Sequence, residues 1–192
     1  MSISIKRTVN EMRVITGTAR GRKIKEPAGM DIRPTTDMVK ESVFNILQFD
    51  IEGRKMLDLF AGTGQMGIEA LSRGAESVTF IDSSPDAIKL VKENLAITGF
   101  ADKATVIYTD ALNFLKNCGK YDIIYIDPPY KSTLADEALQ LINRFDILKD
   151  NGIIVCENVY GTVLPELISP YTKIKERKYG KVAITVYTKE SV

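Results

Sequence analysis

Asp58-Leu59-Phe60-Ala61-Gly62-Thr63-Gly64-Gln65-Met66-Gly67 passes from an apolar run through a glycine turn into a helical pattern. Glycines at such a junction let a backbone approach a ligand closely, and the helix start offers unpaired amides. Working outward, apolar runs at KMLDLF (55–60), SVTFID (77–82), ATVIYTD (104–110), YDIIYID (121–127) and GIIVCEN (152–158) read as strands. Helical spacing fills 66–73, 84–97, 110–117 and 133–145, with Ser84-Pro85-Asp86 supplying a cap and a proline at the first helical position. Near-continuous apolar strands alternating with helices predict an α/β fold, a mostly parallel Rossmann-like sheet covered on both faces. Segments 171–178 and 181–189 flank Tyr179-Gly180 and predict a closing antiparallel hairpin.

Upstream, 13–17 and 21–27 alternate around Thr18-Ala19-Arg20-Gly21 and predict a small basic hairpin. A helix carrying Val39, Val43, Phe44, Ile46 and Leu47 follows, capped by Thr36 or Asp37 and ending near Gln48. The expected organisation is a hairpin extension over 1–35 and a Rossmann-like domain over 36–192. Both ends are basic. Residues 1–25 hold seven cationic side chains against Glu11, and 173–189 hold six against Glu176, in a chain of net charge +1. The middle is therefore acidic, and basic flanks suit a polyanionic partner or a pair of solvated hairpins equally.

The chain has no histidine, which removes Ser-His-Asp and Cys-His catalysis and histidine-based zinc sites. No metal site is expected. Cys118 and Cys156 lie far apart and read as free thiols of a cytoplasmic protein. No apolar run approaches the roughly 20 residues of a membrane span, and the expected state is a monomer.

Taken literally, Gly62, Gly64 and Gly67 satisfy G-x-G-x-x-G, and Asp82 lies 20 residues after Gly62. That admits a nicotinamide dehydrogenase. Asp58 argues otherwise: a carboxylate at the strand end repels a pyrophosphate but suits the cationic methionine end of S-adenosylmethionine. Asp82 is placed to accept from ribose hydroxyls, and Asp110 to meet the adenine amino group, with the Ala111 amide beside it. Either aspartate could equally be a helix cap. Successive acidic strand ends favour a site, because ligands bind at that edge of an open α/β sheet.

Asp127-Pro128-Pro129-Tyr130 follows the fourth strand. Proline stiffens the residue before it, so the Asp127 carboxylate and the Pro128 carbonyl offer two fixed acceptors, and Tyr130 a face for stacking. An aromatic amine shares its lone pair with the ring and is a poor nucleophile. Acceptors on both its hydrogens favour a pyramidal nitrogen and stabilise the positive charge that grows as it attacks a sulfonium methyl.

Arg33-Pro34-Thr35-Thr36-Asp37, Val39-Lys40-Glu41, Phe44-Asn45, LDLFAGTGQMGIEALSRGA and DPPY together resemble the bacterial 16S rRNA guanine-966 N2-methyltransferase family. The resemblance covers nearly the whole chain. It implies a class I methyltransferase using S-adenosylmethionine on a guanine of the small ribosomal subunit. Residues 58–67, among them Phe60, Ala61 and Thr63, with Asp82, Ser83, Asp110 and Ala111, would bind the cofactor. Asp127, Pro128, Pro129 and Tyr130 would hold the guanine, and Arg20, Arg22, Lys23, Arg33 and Thr35 would contact RNA. Met38 stands where relatives often carry a basic residue. A DNA or RNA adenine-N6 methyltransferase shares the tetrapeptide and is the near alternative, though such DNA enzymes usually add a recognition domain that about 190 residues leave no room for.

Overall fold

The computed structural model describes residues 12–27, 37–129 and 132–191. Seven strands form one sheet: β1 (Lys55–Asp58), β2 (Ser77–Asp82), β3 (Ala104–Tyr108), β4 (Tyr121–Ile126), β5 (Leu148–Val159), β6 (Tyr171–Tyr179) and β7 (Val182–Lys189). Their order is β3-β2-β1-β4-β5-β7-β6. The first five are parallel, and β7 enters antiparallel between β5 and the edge strand β6. The predicted α/β sheet and closing hairpin are both present.

Alternation along the strands divides the core. Met56, Phe80, Tyr125, Val155 and Ile184 face one side, where α1 (Asp37–Ile46), α2 (Gln65–Ser72) and α3 (Pro85–Thr98) cover them. Leu57, Ile81, Ile124, Ile154 and Tyr187 face the other, under α4 (Ala111–Leu115) and α5 (Leu134–Phe145). Ser84 caps α3 by accepting the Ala87 amide at 3.3 Å, with Pro85 in the first turn as expected. Gly67 lets α2 lie close on the sheet, because a Cβ there would meet the Phe80 ring at 2.2 Å. The third glycine of the loop thus serves packing.

Differences from the sequence reading are local. β1 and β3 stop two residues early because their last residues already turn into the loops at the carboxyl edge. β5 runs from Leu148, four residues before the expected start. The amino-terminal hairpin contains a single bridge, Arg13 to Lys23, in place of two strands. Backbone bonds from Val14 N to Arg22 O and from Ile24 N to Met12 O, both 3.0 Å, close it, and other amides pair with helix side chains as described below. The expected cap Thr36 lies outside the described residues, and α1 ends at Ile46 rather than Gln48.

Candidate active site at the carboxyl edge

Three of the acidic residues read from the sequence stand at this edge. Asp58 ends β1, Asp82 ends β2, and Asp127 follows β4; Asp110 lies two residues past β3. Their surroundings differ. Asp82 is half-buried and holds two amides, Gly62 N on Oδ2 and Ser84 N on Oδ1, each at 2.8 Å. An ionised carboxylate has about four acceptor sites, so each oxygen keeps capacity for a hydroxyl donor. Asp110 is exposed and caps α4, its Oδ1 accepting the Asn113 amide at 2.9 Å. The capping role and the proposed ligand role coexist, because Oδ2 is left over. Ala111 is buried as the first residue of α4, and Ser83 is exposed.

Asp58 is 1% exposed and accepts the Gly67 amide at 3.1 Å. Burial pushes its carboxyl up to about 7; the Gly67 amide opposes that shift and the neighbouring Asp82 adds to it. Asp58 is thus buried beneath the glycine turn, with the Gly67 backbone over it. Gly64 precedes α2 with φ 77°, a left-handed conformation that suits glycine, and its amide donates to Ala61 O at 2.7 Å. Phe60 and Gly62 are half-buried, while Ala61 and Thr63 are buried.

A residue the sequence reading passed over completes the acidic lining. Glu157, near the end of β5 and 2% exposed, accepts the Tyr125 hydroxyl at 2.8 Å. Ile126 pairs with Cys156, so Glu157 stands level with Asp127 on the adjacent strand. Burial and the charges of Asp127, Glu157 and Asp58 raise the Tyr125 hydroxyl well above its ordinary value. Asp58 at the end of β1, Asp127 just past β4 and Glu157 on β5 thus stand on neighbouring strands at the carboxyl edge, with Glu157 bonded to the buried phenol. The signal was present in GIIVCEN, where a glutamate interrupts an apolar strand at the ligand edge. Pro128 is buried, and the Pro129 carbonyl accepts from Ser132 Oγ at 2.8 Å, which fixes the turn after Asp127. Tyr130, Arg33 and Thr35 lie outside the described residues. Burial raises both thiols, Cys118 and Cys156, which leaves neither activated as a nucleophile.

The amino-terminal segment docks on α2 and α3. Glu69, fully buried, accepts the amides of Ile15 (Oε2, 2.7 Å) and Thr16 (Oε1, 2.9 Å) and pairs with Arg73 Nε at 2.9 Å. Ser72 Oγ accepts the Ala19 amide at 2.9 Å. Asn94, also fully buried, clasps Lys25 through both its amide and its carbonyl, and donates to Thr63 O at 3.0 Å. It therefore ties this segment to the glycine turn. The turn at 17–21 sits beside Ser72, the last residue of α2, and Arg22 Nη1 donates to Ile97 O near the end of α3 at 3.0 Å. Arg20, Arg22 and Lys23 are exposed there, at the helix ends away from the glycine turn.

With this geometry in view, the matches to known proteins are specific. The family model described as "Conserved hypothetical protein 95" matches residues 12–188. The chain belongs to that family. Ribosomal RNA small subunit methyltransferase D of Escherichia coli (strain K12) is 35% identical, covering 94% of this chain and 91% of that protein. The protein of the same name from Haemophilus influenzae is 37% identical, covering 92% and 93%. A solved Escherichia coli structure, yhhF, titled a candidate methyltransferase, superposes with TM-score 0.85 at 34% identity over 94% of this chain and 98% of that one. Fold and family agree with the resemblance read from the motifs. Among the described residues no helix is long and apolar enough to cross a membrane, and no cluster of metal-ligating side chains occurs.

Proposed function

We propose that the chain transfers a methyl group from S-adenosylmethionine to the exocyclic N2 of a guanine in 16S rRNA of the small ribosomal subunit, guanine 966 by resemblance. The observation that carries the reading is the placement of Asp58, Asp127 and Glu157 at the ends of the neighbouring strands β1, β4 and β5, with Glu157 bonded to the buried Tyr125 hydroxyl at 2.8 Å. Such a site attracts a cationic ligand and disfavours a pyrophosphate, which argues against the nicotinamide alternative. Relatives at 35–37% identity that are named as small-subunit rRNA methyltransferases support the polymer.

The donor set fits the cofactor. Asp82, with both oxygens fixed by backbone amides and capacity remaining on each, would take the ribose hydroxyls. Asp110 Oδ2 and the Ala111 amide would take the adenine, and the turn from Phe60 to Gly64 would lie against the methionine portion. When bound, this group supplies an electrophilic methyl on a sulfonium. The chain's part is orientation and charge. Asp127 and the Pro128 carbonyl would accept the two amine hydrogens, with Tyr130 as the stacking face. Asp127 and Glu157 then stabilise the charge growing on the nitrogen in a partly buried setting, where such stabilisation is largest. The spare proton leaves from the methylated amine toward these carboxylates and on to water.

Asp127→Ala tests the assignment. Methyl transfer should fall by about 100- to 1,000-fold, as for loss of a key electrostatic group, while calorimetry finds cofactor affinity near normal. Lost cofactor binding with unchanged turnover of bound enzyme would contradict the role given to Asp127.

A further inference from the structure

The strands β6 and β7 meet in a turn, Tyr179-Gly180-Lys181, whose position the sequence does not reveal. Pairing of Val159 with Val182 carries that turn to the carboxyl edge, two residues beyond the level of Glu157. The Tyr160 amide donates to Lys181 O at 2.9 Å and fastens the loop after β5 to it. From β4 to β7 is two strand spacings, on the order of 10 Å, and Lys181 lies three residues beyond the level of Asp127, so the turn stands roughly 15 Å from it. Its chemistry is unusual for a solvated edge. Lys178 Nζ lies 3.9 Å from the centroid of the Tyr160 ring. Tyr160 is 49% exposed and Val163 92% exposed. Among the described residues no ion pair engages Lys178 or Lys181, whereas Lys173, further along the same strand, pairs with Glu166 at 3.0 Å.

We infer that Tyr160, Lys178 and Lys181 form a contact for the single-stranded RNA flanking the target nucleotide. This rests on the proposed function, since it requires RNA at the carboxyl edge. A base drawn into a pocket must leave its stack, and its neighbours need holding while it does so. An exposed aromatic face with cations beside it supplies stacking and phosphate neutralisation together. Lysines that only guard an edge strand against pairing would be spread along it. Here Lys178 and Lys181 flank an exposed aromatic ring at the end nearest the acidic site, where they also offset its repulsion of a polyanion.

The test uses the full chain, small subunits from a strain lacking this gene, and naked 16S rRNA. For K178E/K181E, KM for small subunits should rise about tenfold or more. The salt dependence of rRNA affinity should flatten by about 1.4 in log–log slope, two single-strand phosphate contacts' worth. Cofactor affinity by calorimetry should stay unchanged, and K178R/K181R should behave as the parent. An unchanged KM and slope in a parent that methylates subunits would overturn the inference and leave the proposed function standing. A raised KM with unchanged rRNA affinity would identify a ribosomal protein as the occupant and overturn it too. A parent that neither methylates nor binds rRNA would fail the proposed function, and this contact with it.

Discussion

The two basic ends of the chain have nearly the same charge, yet they are built in opposite ways. The amino-terminal segment is locked: its amides are held by Glu69, Ser72 and Asn94, and Lys40, 1% exposed on α1, donates to Arg13 O at 2.8 Å. Its turn lies at the far ends of α2 and α3. The carboxy-terminal hairpin is anchored at its other end, where Lys189 bonds Asp146 at 2.8 Å and Asp150 at 2.9 Å, while its turn at the acidic edge, among the bonds of the described residues, meets only the loop after β5 through Tyr160. Charge along a sequence identifies candidates for a polyanion surface; strand direction and buried partners decide which of them face the chemistry.

Breaking the amino-terminal lock should give the largest effect. Glu69→Ala leaves two part-buried amides and the Arg73 guanidinium without their buried carboxylate, and should cost about 3 kcal/mol in denaturant unfolding. Asn94→Ala removes three hydrogen bonds, one of them to the glycine turn. A loss of about 2 kcal/mol is expected, accompanied by a severalfold weaker cofactor affinity; unaltered affinity would uncouple this segment from the site.

The anchored end of the other hairpin should respond to acid. Hydrogen bonds from Lys120 and Lys189 hold the Asp146 carboxyl down to about 2. A depressed acid contributes stability that is present above its ordinary value near 4 and lost as pH falls toward 2. Asp146 is nearly half exposed, so solvent screens the pair and the effect is small. Acid unfolding of Asp146→Asn should show a slightly shallower decline over that window than the parent. Smallest of all, charge reversal of Arg20 and Arg22 should change stability by under about 0.5 kcal/mol. It should weaken rRNA binding less than reversal of Lys178 and Lys181; a larger effect would exchange the roles of the two hairpins.

Much of this was legible in the residues. The parallel sheet and the acidic strand ends followed from repeated apolar runs and the glycine turn, because parallel sheets bury whole strands and gather ligands at one edge. The amino-terminal hairpin is present with one bridge, and the side chains of Glu69, Ser72 and Asn94 that hold it lie too far off in sequence for alternation to register. Glu157 was passed over because a lone glutamate in an apolar strand carries no motif; it gains meaning only when β5 is set beside β4. The sequence also left Asp110 suspended between cap and ligand group, and the geometry gives it the cap with one oxygen to spare.

The measurement that bears most directly on the account is transfer of labelled methyl from S-adenosylmethionine to small subunits lacking this modification, followed by nucleoside identification. N2-methylguanosine, formed by the parent and absent with Asp127→Ala, is the predicted product. Label in an adenosine, or none in any nucleoside despite bound cofactor, would contradict it.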